Sequence, residues 1–323
     1  STNTNRKRDL NYVRSSMIRL KKNEIISLEK LEKRYFRLYA TSQIDFIYPL
    51  LTLKKDSLYN LNLEVRKAKD FKLSVGGHFS SRAVNTGYIG IDYRSLGRTA
   101  STIHASSYFG KFYGSVKLNY TLEIPSTYPI SLGTYFVMNR WDYFRSFATF
   151  FEDVQPSFLV QNEMYYGVKL LNPIGNTTKS TLDLRIFNLE DDYYQTSNFT
   201  NKDTSDITKF SGASGSWELE KNSLNRKQYG NSGHLIKFKS RYVYGKELSI
   251  PGSTSVSDSI RTHYHSWINF SAEFQSFVID KPHFHLGIYG KGVFNSQSLF
   301  TNYTASLLSM TDRKSTRLNS SHT

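Results

Sequence analysis

The chain contains no cysteine, which excludes disulfides and thiolate metal sites and leaves the redox compartment open. It has no run of 18 or more apolar residues, so no segment reads as a membrane-spanning helix. It also lacks Gly-x-Ser-x-Gly, the strand-to-helix elbow that presents a serine nucleophile. Gly212-Ala213-Ser214-Gly215 and Gly230-Asn231-Ser232-Gly233 come nearest and have the wrong spacing. The opening Ser1-Thr2-Asn3-Thr4 has neither a start Met nor a leader; an exported protein is expected to carry one, so further residues are expected upstream. Acidic residues are scarce, 27 Asp and Glu against 42 Lys and Arg, for a formal charge of +15. A mean hydropathy of -0.48 ordinarily describes a soluble protein. Transmembrane β-barrels escape that test, because half of every strand faces a polar lumen.

What the chain does have is alternation. Val116, Leu118, Tyr120, Leu122 and Ile124 share one side of a strand, with Lys117, Asn119, Thr121 and Glu123 on the other. Leu182, Leu184 and Ile186 oppose Asp183 and Arg185, and Ile268, Phe270, Ala272 and Phe274 oppose Asn269, Ser271, Glu273 and Gln275. Successive side chains of a strand point to opposite faces, so each segment carries one apolar and one polar face. The segments are longer than the roughly 5–6 residues usual in soluble sheets, and they are rich in Tyr and Phe. A membrane-spanning barrel requires that pattern, with lipid outside and water inside.

From residue 71 the pattern predicts eleven strands, over 71–81, 85–96, 101–112, 113–125, 130–145, 157–171, 177–188, 211–220, 233–246, 262–279 and 283–294. Short connections are expected at Arg82-Ala83-Val84 and Asp280-Lys281-Pro282, and long polar ones over Asp191–Phe210 and Glu247–Arg261. Short turns at one rim and long loops at the other is the arrangement of outer-membrane barrels. Trp141, Trp217 and Trp267, with the many tyrosines, are expected in the interfacial girdles.

Residues 1–70 read as a separate α+β unit. Asp9 suits the cap of a helix over Leu10–Leu20, and Ser27 that of a second through Leu28, Leu31, Tyr35, Phe36, Leu38 and Tyr39. Pro49 is expected to mark a break. Leu50–Lys54 and Leu58–Lys67 then alternate as a hairpin about Lys55-Asp56-Ser57. The unit is strongly basic, from Arg6, Lys7 and Arg8 through Lys33, Arg34 and Arg37. No recognition motif or basic–aromatic platform accompanies that charge, so it reads as a solvated face with some attraction for anionic headgroups rather than a nucleic-acid site.

Particular residues carry a family resemblance. Ser74-Val75-Gly76-Gly77-His78-Phe79-Ser80-Ser81-Arg82 resembles the first barrel strand of the bacterial surface-antigen (BamA/TamA) superfamily. Asn85-Thr86-Gly87-Tyr88-Ile89-Gly90-Ile91-Asp92-Tyr93, Leu96-Gly97-Arg98 and Ser107-Tyr108-Phe109-Gly110-Lys111-Phe112-Tyr113 resemble one branch of it, the outer-membrane patatin-like phospholipases. Arg34-Tyr35-Phe36-Arg37-Leu38-Tyr39 and Asn302-Tyr303-Thr304-Ala305 are similar to the same branch. The resemblance implies a POTRA-like periplasmic domain over 1–70, lacking its first strand, and an incomplete outer-membrane barrel over 71–311. It implies an upstream patatin domain with a Ser–Asp dyad, to which this chain contributes no catalytic residue. The implied partners are outer-membrane lipid, the barrel-assembly machinery and that patatin domain. Asp312–His322 is similar to a translated sequencing adapter; the natural chain is then expected to stop near Thr311. Arg313, Lys314 and Arg317 less Asp312 supply +2 of the +15 charge.

The expectation is thus a mostly β protein, a membrane anchor and translocation module of a patatin-like phospholipase that is itself no enzyme. One alternative is a protein-insertion or translocation barrel of the BamA/TamA type. Others are a porin-like channel, against which the helical front domain argues, and a soluble β-protein with long strands. No cofactor, metal or catalytic residue is assigned. His263 with His265 and His283 with His285 share strand faces, but their strand positions hold the two pairs tens of ångströms apart, so they read as wall or rim residues. Glu163, Lys169, Asp183 and Arg185 read as lumen-facing charges.

Overall fold

The computed structural model describes residues 12–13, 35, 43–54, 58–78, 85–125, 130–143, 158–175, 177–196, 198–225, 230–281 and 284–301. In the N-terminal unit Tyr12, Val13 and Tyr35 are helical; the rest of both expected helices lies outside the described residues. So do residues 312–323. Two strands follow, β1 (Ile44–Lys54) and β2 (Leu58–Lys67), paired antiparallel. The hairpin is longer than expected, because Pro49 does not break it. Pro49 lies within β1 opposite Leu63. Its missing N–H is tolerable because a two-stranded sheet consists entirely of edge strands.

Eleven strands form one antiparallel sheet in sequence order. They are β3 (Phe71–His78), β4 (Thr86–Leu96), β5 (Ala100–Gly110), β6 (Tyr113–Ile124), β7 (Ile130–Tyr143) and β8 (Leu159–Ile174). Then come β9 (Thr178–Tyr193), β10 (Asp206–Asn222), β11 (His234–Ile250), β12 (Arg261–Lys281) and β13 (Phe284–Asn295). Each pairs with the next, and β3 and β13 are the two edges. Among the described residues the sheet is open, with no pairing between β3 and β13.

One expectation about connections needs correction. β9, β10 and β11 continue well into the segments read as loops, which shrink to 194–205 and 251–260. The outward residues there are mixed, Glu190 and Lys209 beside Ile207, Leu248 and Ile250, but the ladder persists, with Lys209 and Glu190 paired at 2.8 Å on one face and Tyr193 and Phe210 buried on the other. The connection holding Arg82–Val84 lies outside the described residues. Strand order puts the β4–β5 turn at 97–99 on the rim opposite the loops 194–205 and 251–260, the short-turn rim. The short-turn rim is where Gly175 and Gly233 adopt φ of 69° and 92°, a region that favours glycine.

The N-terminal unit packs on the short-turn rim. Tyr12, Val13, Ile44, Ile47 and Val65 form one buried cluster with Leu96 and Ala100, which flank the β4–β5 turn. Tyr12 donates to Glu123 Oε2 at 3.2 Å and Gln43 Nε2 to Thr102 Oγ1 at 2.8 Å. Both acceptors lie on the polar face of the sheet, so the unit sits at the mouth of that face.

Candidate functional site

The register sorts every strand into two faces. The outward parity holds Ile130, Leu132 and Met138 on β7, Met164, Tyr166, Val168 and Leu170 on β8, and Leu182, Leu184 and Ile186 on β9. It continues through Ile236, Phe238, Tyr242 and Tyr244 on β11 and Ile268, Phe270 and Phe274 on β12. All of these are exposed, Ile186 to 60%. A soluble monomer rarely exposes an apolar patch beyond a few hundred Å², and here it covers the sheet. Ile130 to Met138 runs about 27 Å along the strand at ~3.4 Å per residue. A tilt near 40° reduces that to about 20 Å of depth, close to the ~25 Å apolar band of outer-membrane barrels. Above it the outward residues turn polar, with Arg140 on Asp142 at 3.1 Å and Ser211 on Asn188 at 2.6 Å.

The inward parity is polar and its side chains bury one another. Lys169 lies 3.8 Å from Asp183, which also accepts from Tyr135 at 2.7 Å. Glu163 accepts from Asn139 at 3.3 Å and from Tyr165. Arg185 Nε donates to Ser214 Oγ at 3.1 Å with its guanidinium over the Tyr165 ring. The four charges therefore face one side, Lys169 with Asp183 in one group and Glu163 with Arg185 about Tyr165 in another. Nearer the short-turn rim, Lys179–Glu220 (3.0 Å), Lys237–Glu218 (3.3 Å) and Lys239–Glu218 (4.0 Å) form a ladder across three strands. Each such pair contributes roughly 0.2–1 kcal/mol.

Sequence reasoning missed an aromatic cluster on this face. Phe210 lies 5.2 Å from Phe187, 5.5 Å from Trp267 and 5.0 Å from Phe300. Gly245 makes room for it, since a Cβ there would fall 2.6 Å from Phe210 Cζ. Beside the cluster, fully buried Glu247 accepts from Thr301 N–H at 3.0 Å and contacts His265 Nε2 at 2.5 Å. His265 Nδ1 in turn meets Ser298 Oγ at 3.2 Å. Residues 296–301 thus fold back from β13 onto the inner wall. Trp267 and Trp141 belong to this inner face, opposite Val243 and Tyr113, and do not form a girdle; only Trp217 faces outward, 40% exposed. The signal was available, because Trp267 shares parity with Asn269 and Ser271.

Among the described residues no three His, Asp or Glu side chains gather as a metal site. His285 pairs with Asn231 at 3.2 Å, and His283 lies outside the described residues. Gly212–Gly215 lies within β10 and Gly230–Gly233 in the β10–β11 connection, so neither stands on a strand-to-helix elbow.

At the long-loop rim, 194–205 and 251–260 are laced together. Gly252 N donates to Asp206 at 2.7 Å and Ser253 N to Thr204 O at 3.1 Å. Asp203 accepts from Thr200 N at 2.8 Å, Thr200 Oγ1 at 3.0 Å and Ser253 Oγ at 3.1 Å. The Thr200 backbone bond first, then the hydroxyls, hold its carboxyl below the ordinary range. A depressed folded-state value stabilises above the unfolded pKa and is lost as pH falls through the folded one. The protection factor of the Thr200 amide is therefore expected to fall as pH drops below about 3.9, and Asp203→Asn is expected to flatten that dependence.

No family model matches the chain, and no curated protein matches it. Among solved structures, BamA from Haemophilus ducreyi lacking POTRA domains 1–3 matches 90% of this chain at 15% identity with a TM-score of 0.54. This chain spans about half of that one, 53%. CdiB from Acinetobacter baumannii matches over 88% of this chain and 61% of its own, at 9% identity and a TM-score of 0.39, too loose to bear on the fold. The first likeness shows the fold: a large antiparallel sheet that resembles the BamA barrel.

Proposed function

We propose that this chain is barrel wall and membrane-proximal domain of a bacterial outer-membrane protein that inserts or translocates other proteins, with the N-terminal unit in the periplasm. The observation that carries the reading is the continuous exposed apolar face on a sheet of BamA-barrel fold, backed by a polar inner face. Closing the free edges of β3 and β13 then falls to further strands. The likeness to BamA covers 90% of the chain, whereas residues 71–323 are 253 of 323. It therefore runs into the N-terminal unit, which supports a POTRA-like reading of 1–70. The phospholipase-anchor reading draws no comparable support, since the BamA neighbour is not named as a lipid hydrolase.

The test is to reconstitute the full-length protein in liposomes and follow the folding of an unfolded outer-membrane barrel by its heat-modifiable gel shift. Faster client folding than in empty liposomes is expected. No acceleration, together with phospholipid hydrolysis by the same liposomes, would overturn the proposal in favour of the anchor. The chain alone is expected to show no esterase activity.

A further inference from the structure

The outward face is not uniformly filled. Across β9, β10 and β11 the register sets Leu184, Gly215 and Tyr242 in one row and Ile186, Ala213 and Tyr244 in the next. The central strand offers only Gly and Ala between large flanking side chains. A groove of about 440 Å³ results, lined almost wholly by apolar surface. A Cβ built on Gly215 would already stand 3.2 Å from Leu184 Cδ2, so the groove exists because the residues along its floor are small.

The next row toward the long-loop rim is Asn188, Ser211 and Lys246. Asn188 and Ser211 bond each other at 2.6 Å. Lys246 is exposed, and among the described residues no carboxylate lies within ion-pair distance of it. Its outward neighbour Lys209 differs, being held by Glu190 at 2.8 Å. An uncompensated cation therefore stands at the end of an apolar groove, where the apolar band gives way to polar residues.

We propose that this groove is a binding site for one phosphorylated lipid of the leaflet facing away from the N-terminal unit. The acyl chain lies over Ala213 and Gly215 between the aliphatic wall of β9 and the tyrosines of β11, and the phosphate sits at Lys246. Charge complementarity and continuity with the apolar band select a lipid as the occupant. The inference rests on the membrane reading above.

The test reconstitutes the full-length protein in phosphatidylcholine nanodiscs containing phosphatidylglycerol and counts retained anionic lipid by native mass spectrometry. Lys246→Gln is expected to lower retention roughly fivefold, the effect of one surface lysine on an anionic lipid. Ala213→Leu, which fills the groove, is expected to lower it as well, and Lys209→Gln to leave it unchanged. Excess glycerol phosphate, which lacks chains, is expected not to displace the lipid. Retention by Lys246→Gln equal to that of the unmodified protein would overturn the site, and displacement by glycerol phosphate would overturn the role of the groove. If the protein enters nanodiscs and these results fail, only this inference falls; if it does not enter them, the membrane reading falls with it.

Discussion

Ile186→Arg is expected to destabilise the protein in bilayers by roughly 2–4 kcal/mol, the cost of a cation at the bilayer midplane on a barrel's lipid face. Ile186 lies at the centre of the outward face, is 60% exposed, and has Leu184 and Ala213 beside it. In water, an arginine at so exposed a position would be neutral, within about 0.5 kcal/mol. The comparison is Ser216→Arg, one face over, where Asp183 lies directly across the ladder and a charged side chain joins an existing polar network. That change is expected to cost roughly 1 kcal/mol or less. Urea titration of both variants in liposomes measures the difference. Equal effects at the two positions would remove the distinction between a lipid face and a lumen face.

The second large effect is expected at Glu247. Its carboxylate is fully buried and serves both His265 and the Thr301 N–H. Glu247→Ala leaves a half-buried donor and a half-buried imidazole without their acceptor, a loss of about 2 kcal/mol. The same change is expected to release residues 296–301 from the inner wall, since Ser298 reaches that wall through His265. Hydrogen exchange at Thr301 should rise sharply in Glu247→Ala and less in Glu247→Gln, which keeps one acceptor oxygen. Unchanged exchange at Thr301 would show that Phe300, packed on Phe210 and Trp267, holds the segment by itself.

The eleven strands and their two faces were legible because a strand with one apolar and one polar face alternates at period two. β6, β9 and β12 keep that alternation over long runs. It lapses toward the long-loop rim. Asn188, Glu190, Lys209 and Ser211 face outward above the band, so alternation fades there and the sequence reads as loop, although the hydrogen-bonded ladder continues to Tyr193 and Asp206. Pro49 misled for a different reason: the sequence shows a missing N–H but not that the strand has a free side.

The inner site was legible in part. Parity alone assigns Glu163, Lys169, Asp183 and Arg185 to one face. The meeting of Glu247, His265 and Thr301 depends on β11 and β12 standing side by side while the chain after β13 folds back. No local pattern encodes that contact. The groove over Ala213 and Gly215 likewise depends on which residues of three strands fall in one row, and so on register.

The most direct test of the central claim uses the three native tryptophans. With the protein in bilayers containing brominated lipid, fluorescence quenching is expected to come from Trp217, which faces outward, and not from Trp141 or Trp267 on the polar face. Trp217→Phe should therefore abolish the quenching, while Trp141→Phe and Trp267→Phe leave it intact. Quenching that survives Trp217→Phe and disappears with Trp267→Phe would put the lipid on the opposite face and contradict the account.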